Sequence, residues 1–173
     1  MPSVRLPIVL CVVLVLAAGC VGVPEPPAST ERDASFSATN DGNETAVVTV
    51  SVVSGQPVGY RVTDAGNVTR TYRNATTVDD LPPRAVATAV SLVPIGEDVR
   101  TERYTLRVGE GVGTTFGSVG RNVTLVTVVA YPEDPEPMRT IGVGSCGPDA
   151  TLTAVEILIQ QGGLIHESVS CEG

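Results

Sequence analysis

The residues able to do chemistry in this 173-residue chain are few and scattered. It has one histidine, His166, so a Ser-His-Asp arrangement would have to use it. His166 alternates with Ile165 and Glu167 and shares a strand face with Ser168 and Ser170, a pattern that predicts a solvated position. Carboxylates cluster at Asp79-Asp80, at Glu97-Asp98, and at Glu133-Asp134 with Glu136. Loop carboxylates can gather calcium or act as a glycosidase acid and base, but no DxDxDG pattern accompanies these. Gly142-Val143-Gly144-Ser145-Cys146-Gly147 fits G-x-G-x-x-G. Dinucleotide binding needs a strand before that motif and a helix opening after it, and here Pro148 and a strand pattern follow. The residues therefore assign no catalytic group, no metal ligand and no cofactor.

Cysteines and asparagines carry stronger signals. Cys11 lies in an N-terminal apolar run and Cys20 follows it, which leaves Cys146 and Cys171 as an even pair. In an oxidising compartment that pair predicts a disulfide pinning the Gly144–Pro148 loop to the C-terminus, worth roughly 3 kcal/mol by chain entropy. A reactive thiol or half a metal site is the alternative, and one His with no CxxC gives it little support. Four of the five asparagines open an N-x-Thr triplet: Asn43, Asn67, Asn74 and Asn122. Chance placement would give about one such triplet, so glycosylation is expected at one or more of them. Asparagine at a turn followed by threonine in a strand is also ordinary β-protein grammar. A glycan at Asn67 or Asn74 would bar that hairpin from a tight interface.

The elements that must position these residues are strands. Ala46, Val48, Val50 and Val52 alternate with Thr49 and Ser51. Val58, Tyr60 and Val62 alternate with Arg61 and Thr63, and Tyr104, Leu106 and Val108 with Thr105 and Arg107. Val123 to Ala130 is apolar on both faces and predicts a central strand. Val155, Ile157 and Ile159 form one inward face, and a turn at Gln160–Gly163 leads to a last strand, Leu164 to Ser170. Clusters at Asp64–Asn67, Asp79–Pro83, Gly109–Gly113 and Tyr131–Pro137 are turn chemistry. No window shows a helical period. Short strands at this spacing predict an all-β fold, a single β-sandwich over residues 35–173.

Ahead of the domain, Met1 to Arg5 carries one positive side chain and Leu6 to Leu16 is apolar. Leu16-Ala17-Ala18-Gly19-Cys20 follows and resembles the lipobox of lipoprotein signal peptides, although Ala17 stands where leucine is usual. The resemblance implies a signal peptide over residues 1–19, cleavage before Cys20, and a lipid on Cys20 holding the protein to the outer face of a membrane. Removal of Arg5 would take the charge from −8 to −9. One acyl chain binds membranes only marginally, so stable anchoring needs a second chain or an ether lipid. An uncleaved anchor and free secretion remain open, but Leu6 to Val23 is slightly short of the roughly 20 residues a spanning helix needs. Residues 20–34, with Pro24, Pro26 and Pro27, read as the lipidated cysteine and an extended tether.

Acids outnumber bases 19 to 11, and every base is arginine. Nucleic acid and anionic lipid would be repelled by such a surface. Acid excess without lysine resembles proteins of extreme halophiles. The layout from Ser35 to Gly173 resembles the immunoglobulin-like and fibronectin-like domains of halophilic archaeal surface lipoproteins, without the Cys…Trp…Cys signature of antibody domains. That resemblance implies a non-catalytic extracellular module for binding or structural display, with an envelope protein or surface polysaccharide as partner. An accessory subunit of an exported enzyme or transporter, and a secreted enzyme, are the other readings. Val112–Val119 and Pro132–Pro137 lack sequons and are the expected partner face.

Overall fold

The computed structural model describes residues 32–131 and 139–173. The signal peptide, Cys20, most of the tether and the Pro132–Pro137 loop lie outside the described residues. Nine strands follow in order among the described residues: β1 (Arg32–Asn40), β2 (Ala46–Asp64), β3 (Thr69–Arg73), β4 (Ala89–Leu106), β5 (Gly111–Val119), β6 (Val123–Ala130), β7 (Arg139–Ser145), β8 (Thr151–Ile159) and β9 (Ile165–Glu172). A six-residue helix, α1 (Pro83–Thr88), lies between β3 and β4. It is too short to leave a helical period in the sequence, and proline in its first turn presets the backbone angle. β1 takes up Arg32 to Ala34, which composition had assigned to the tether; Ala34 is fully buried.

The fold is an all-β sandwich of two packed sheets. The first has the order β5-β1-β8-β9, with β1 and β8 parallel and the other pairs antiparallel. The second is antiparallel and is organised around β2. Ala46 to Ser54 runs between β4 and β6, with Val48 opposite both Tyr104 and Val129. Gly59 to Thr63 runs between β4 and β3, with Tyr60 opposite both Pro94 and Tyr72. The register slips between Ser54 and Gly59, and Gly55 takes φ +71°, which a residue with a Cβ rarely adopts. Proline at 94 is tolerated because, among the described residues, β4 pairs only with β2, leaving its other edge without a ladder to break.

The slip explains one departure from simple alternation. Val58 was expected to share a face with Tyr60 and Val62, yet it is 59% exposed while those two are buried. Beyond the slip, Tyr60, Val62 and Leu92 join Ala75 and Leu81 of the β3–β4 connection in a second apolar cluster with Val126 and Val128. The first cluster fills the space between the sheets: Phe36, Val48, Val50, Leu125, Leu152, Val155 and Ile157 are among its members. β6 therefore buries both faces, and every residue from Val123 to Val129 is buried. Each such valine contributes about 1.5–3 kcal/mol by leaving water. Phe36 stacks on Tyr104 at 5.1 Å and tilts against Phe116 at 5.4 Å, so three of the chain's six aromatics meet at one point. Among the described residues no helix is long and apolar enough to cross a membrane.

Candidate functional site

The expected disulfide is present: Cys146 follows β7 and bonds to Cys171 of β9, with Cα atoms 5.8 Å apart. Because β7 belongs to the second sheet and β9 to the first, the bridge ties the two sheets together along one edge. The glycines of the G-x-G-x-x-G stretch serve this edge. A Cβ on Gly144 would sit 2.9 Å from Cγ2 of Val169, and one on Gly142 would occupy the space of the Glu167 carboxylate. Three facing pairs thus run in step, Gly142 with Glu167, Gly144 with Val169 and Cys146 with Cys171, and the missing side chains let β7 and β9 approach. A strand carries the motif, and its glycines meet a neighbouring strand.

Glu167 is a carboxylate directed into this edge. The Thr127 hydroxyl donates to its Oε1 at 2.9 Å. Burial raises its pKa above the usual glutamate range, and the hydrogen bond from Thr127 opposes that rise. His166, its neighbour, faces away, as alternation predicted, and is exposed beside Ser168 and Ser170. Of the carboxylates in the sequence clusters, Glu133, Asp134 and Glu136 lie outside the described residues. Asp80 is committed to the turn after β3, where its Oδ2 accepts from the backbone of Thr76 and Thr77 and from the Thr76 hydroxyl. Those N–H groups, Thr77 first, hold its carboxyl below the usual range. Among the described residues no group of three or more His, Cys, Asp or Glu is placed to hold a metal ion.

The four sequon asparagines stand on four separate turns, and all are exposed. Asn67, Asn74 and Asn122 take φ of +62°, +65° and +53°, a left-handed conformation that asparagine tolerates better than most residues. Turn geometry therefore accounts for asparagine at these three positions, and exposure leaves each amide open to modification. The fifth asparagine is the opposite case. Asn40 is fully buried, its amide donating to the carbonyls of Glu44 and Leu106 while its carbonyl accepts from Gly42. β5 holds the Val112–Val119 stretch expected as a partner face. Its Phe116 and Val119 are buried in the first cluster, and Gly113, Thr114 and Thr115 are exposed.

One concave feature has a chemistry that no sequence motif announced. A cleft of about 610 Å³ opens between the β2–β3 hairpin and α1. Arg70, Tyr72 and Val68 line one wall and Pro82, Arg84 and Thr88 the other. Asp64 organises the hairpin wall: its Oδ1 accepts from the Val68 backbone at 2.9 Å and its Oδ2 from Arg70 Nη1 at 2.8 Å. Those bonds, the Val68 N–H first, hold the Asp64 carboxyl below the usual aspartate range. The Ala65 backbone N–H donates to the Thr88 carbonyl and joins the walls at their base. The two arginines lie fourteen residues apart in sequence, with no spacing that marks them as a pair, so nothing short of the folded chain brings them to one cleft.

No family model matches this chain, and no curated protein matches it in sequence. Among solved structures, a chain described as "Trapped Toxin" is similar to it over 82% of the present chain and 24% of that chain, at 14% identity and a TM-score of 0.36. The present chain thus spans about a quarter of that structure's length.

Proposed function

We propose that this protein is a non-catalytic surface module, exported, held at the outer face of the membrane by a lipid on Cys20, and displaying its β-sandwich for binding or structural support. The observation that carries this reading is the Cys146–Cys171 disulfide between the two sheets. Structural disulfides persist in oxidising compartments outside the cytosol. The lipobox-like sequence ending at Cys20 supplies the route and the attachment point. Exposure of Asn43, Asn67, Asn74 and Asn122 supports glycosylation outside the cell. The acid excess without lysine suits a surface kept hydrated in strong brine. On this reading the partner is an envelope protein or a surface polysaccharide, and nucleic acid is repelled.

Mass spectrometry of the native protein, extracted from membranes in concentrated salt, tests the proposal. The expected result is an N-terminal Cys20 carrying lipid mass, with glycan mass on one or more of the four sequons. An unmodified protein recovered from the medium would sink the anchored reading.

A further inference from the structure

We propose that the cleft between the β2–β3 hairpin and α1 binds a carboxylated sugar unit of an acidic polysaccharide, with Arg70 and Arg84 on the carboxylate and Tyr72 against the ring. The proposal rests on the surface-module reading and names the ligand class for it. Charge is the first support. The chain carries −8, yet the charged residues lining this cleft are Asp64, Arg70 and Arg84, a net of +1. Asp64 is paired with Arg70 and accepts from the Val68 backbone N–H, which leaves the surplus charge on Arg84. The Arg84 guanidinium makes no hydrogen bond or ion pair among the described residues, although Thr88 binds its backbone carbonyl. An anion entering the cleft therefore meets one free guanidinium and one held in place by Asp64.

Shape is the second support. A volume of about 610 Å³ falls within the roughly 300–1,000 Å³ of small-molecule sites, so a monosaccharide unit fits. The guanidinium fork matches a carboxylate in two parallel hydrogen bonds. Tyr72 is half-buried on the same strand face as Arg70, two residues on, and offers a flat apolar surface beside the charge. Asn67 lies between the lining residues Gly66 and Val68, and a glycan on it would hold a broad protein surface away while a single sugar chain could still enter.

Calorimetric titration of the full chain, purified in detergent and concentrated sodium chloride, tests the assignment with three probes: trigalacturonate, neutral maltotriose, and citrate, which has carboxylates but no ring. Trigalacturonate is expected to bind, maltotriose not to bind, and citrate to bind at least about tenfold more weakly. Arg84→Gln should weaken trigalacturonate about tenfold or more, the usual worth of a charged hydrogen bond, without moving the unfolding midpoint. The assignment is overturned if the native chain ignores trigalacturonate, if Arg84→Gln binds it equally well, or if citrate or maltotriose binds as tightly. None of these failures would alter the mass at Cys20. Conversely, an unlipidated Cys20 would sink the anchor and leave binding in the cleft intact.

Discussion

The β7–β9 edge and the β3–α1 end of this molecule use their backbones in opposite ways. At the edge, Gly142 and Gly144 remove side-chain volume so that two strands from different sheets pack directly, and Cys146–Cys171 locks the contact. Glu167, a charged group drawn into this edge, is partly buried and accepts the Thr127 hydroxyl. At the β3–α1 end, a short helix and a two-stranded hairpin stand apart and leave a cleft whose arginines remain open to solvent. Asp64 shows the contrast with Glu167 directly. Its carboxyl is held low by hydrogen bonds from Val68 and Arg70, while burial pushes that of Glu167 up. Closeness at one end serves stability, and openness at the other leaves Arg84 exposed beside an Arg70 held by Asp64.

Breaking the closed edge should have the largest effects. Replacing both Cys146 and Cys171 with serine should cost roughly 3 kcal/mol, because a cross-link 25 residues apart no longer restrains the unfolded chain. A urea midpoint unchanged from that of the native protein would show that glycine-assisted packing alone holds the sheets. Gly144→Val should cost about 1–3 kcal/mol, since its side chain must displace Val169, and amide exchange of β9 should accelerate. Protection left intact at Val169 would mean that the sheets part without strain.

Glu167→Gln sharpens the comparison by pH. The folded state raises the pKa of Glu167, so it favours the neutral carboxyl. That contribution is fully present below the unfolded glutamate pKa and is lost as pH rises through the folded value. The glutamine variant should therefore be more stable than the native chain at neutral pH, by at most about 1 kcal/mol, and equal to it in acid. Denaturant midpoints at both pH values decide this; a variant less stable at neutral pH would mean that the ionised carboxylate is an asset. The smallest effect belongs to the open end. Arg84→Gln should leave the midpoint within about 0.5 kcal/mol of native, as expected of an exposed side chain with no partner to lose among the described residues.

Much of the sandwich was legible before folding. Val123 to Ala130 is mostly apolar in both phases, broken only by Thr124 and Thr127, and β6 is buried on both faces. Val155, Ile157 and Ile159 alternate with Glu156 and Leu158, and all three point inward. The bend in β2 was not legible, because its glycines and its register slip matter only once β4 and β6 lie alongside. β7 was also hidden: glycines at 142 and 144 look like a loop until Glu167 and Val169 occupy the space they leave.

The sequence by itself determined the strand-forming chemistry, the acidic lysine-free surface, the even cysteine pair and the exposed Asn-x-Thr turns. Each is a property of composition or of neighbours within a few residues. Tertiary structure alone decided that Glu167 would be partly buried, that a nucleotide-like glycine motif would become a packing seam, and that Arg70 and Arg84 would share a cleft. Those outcomes depend on which distant segment lies opposite, and solvent exclusion and sheet pairing choose that segment only when the whole chain closes on itself.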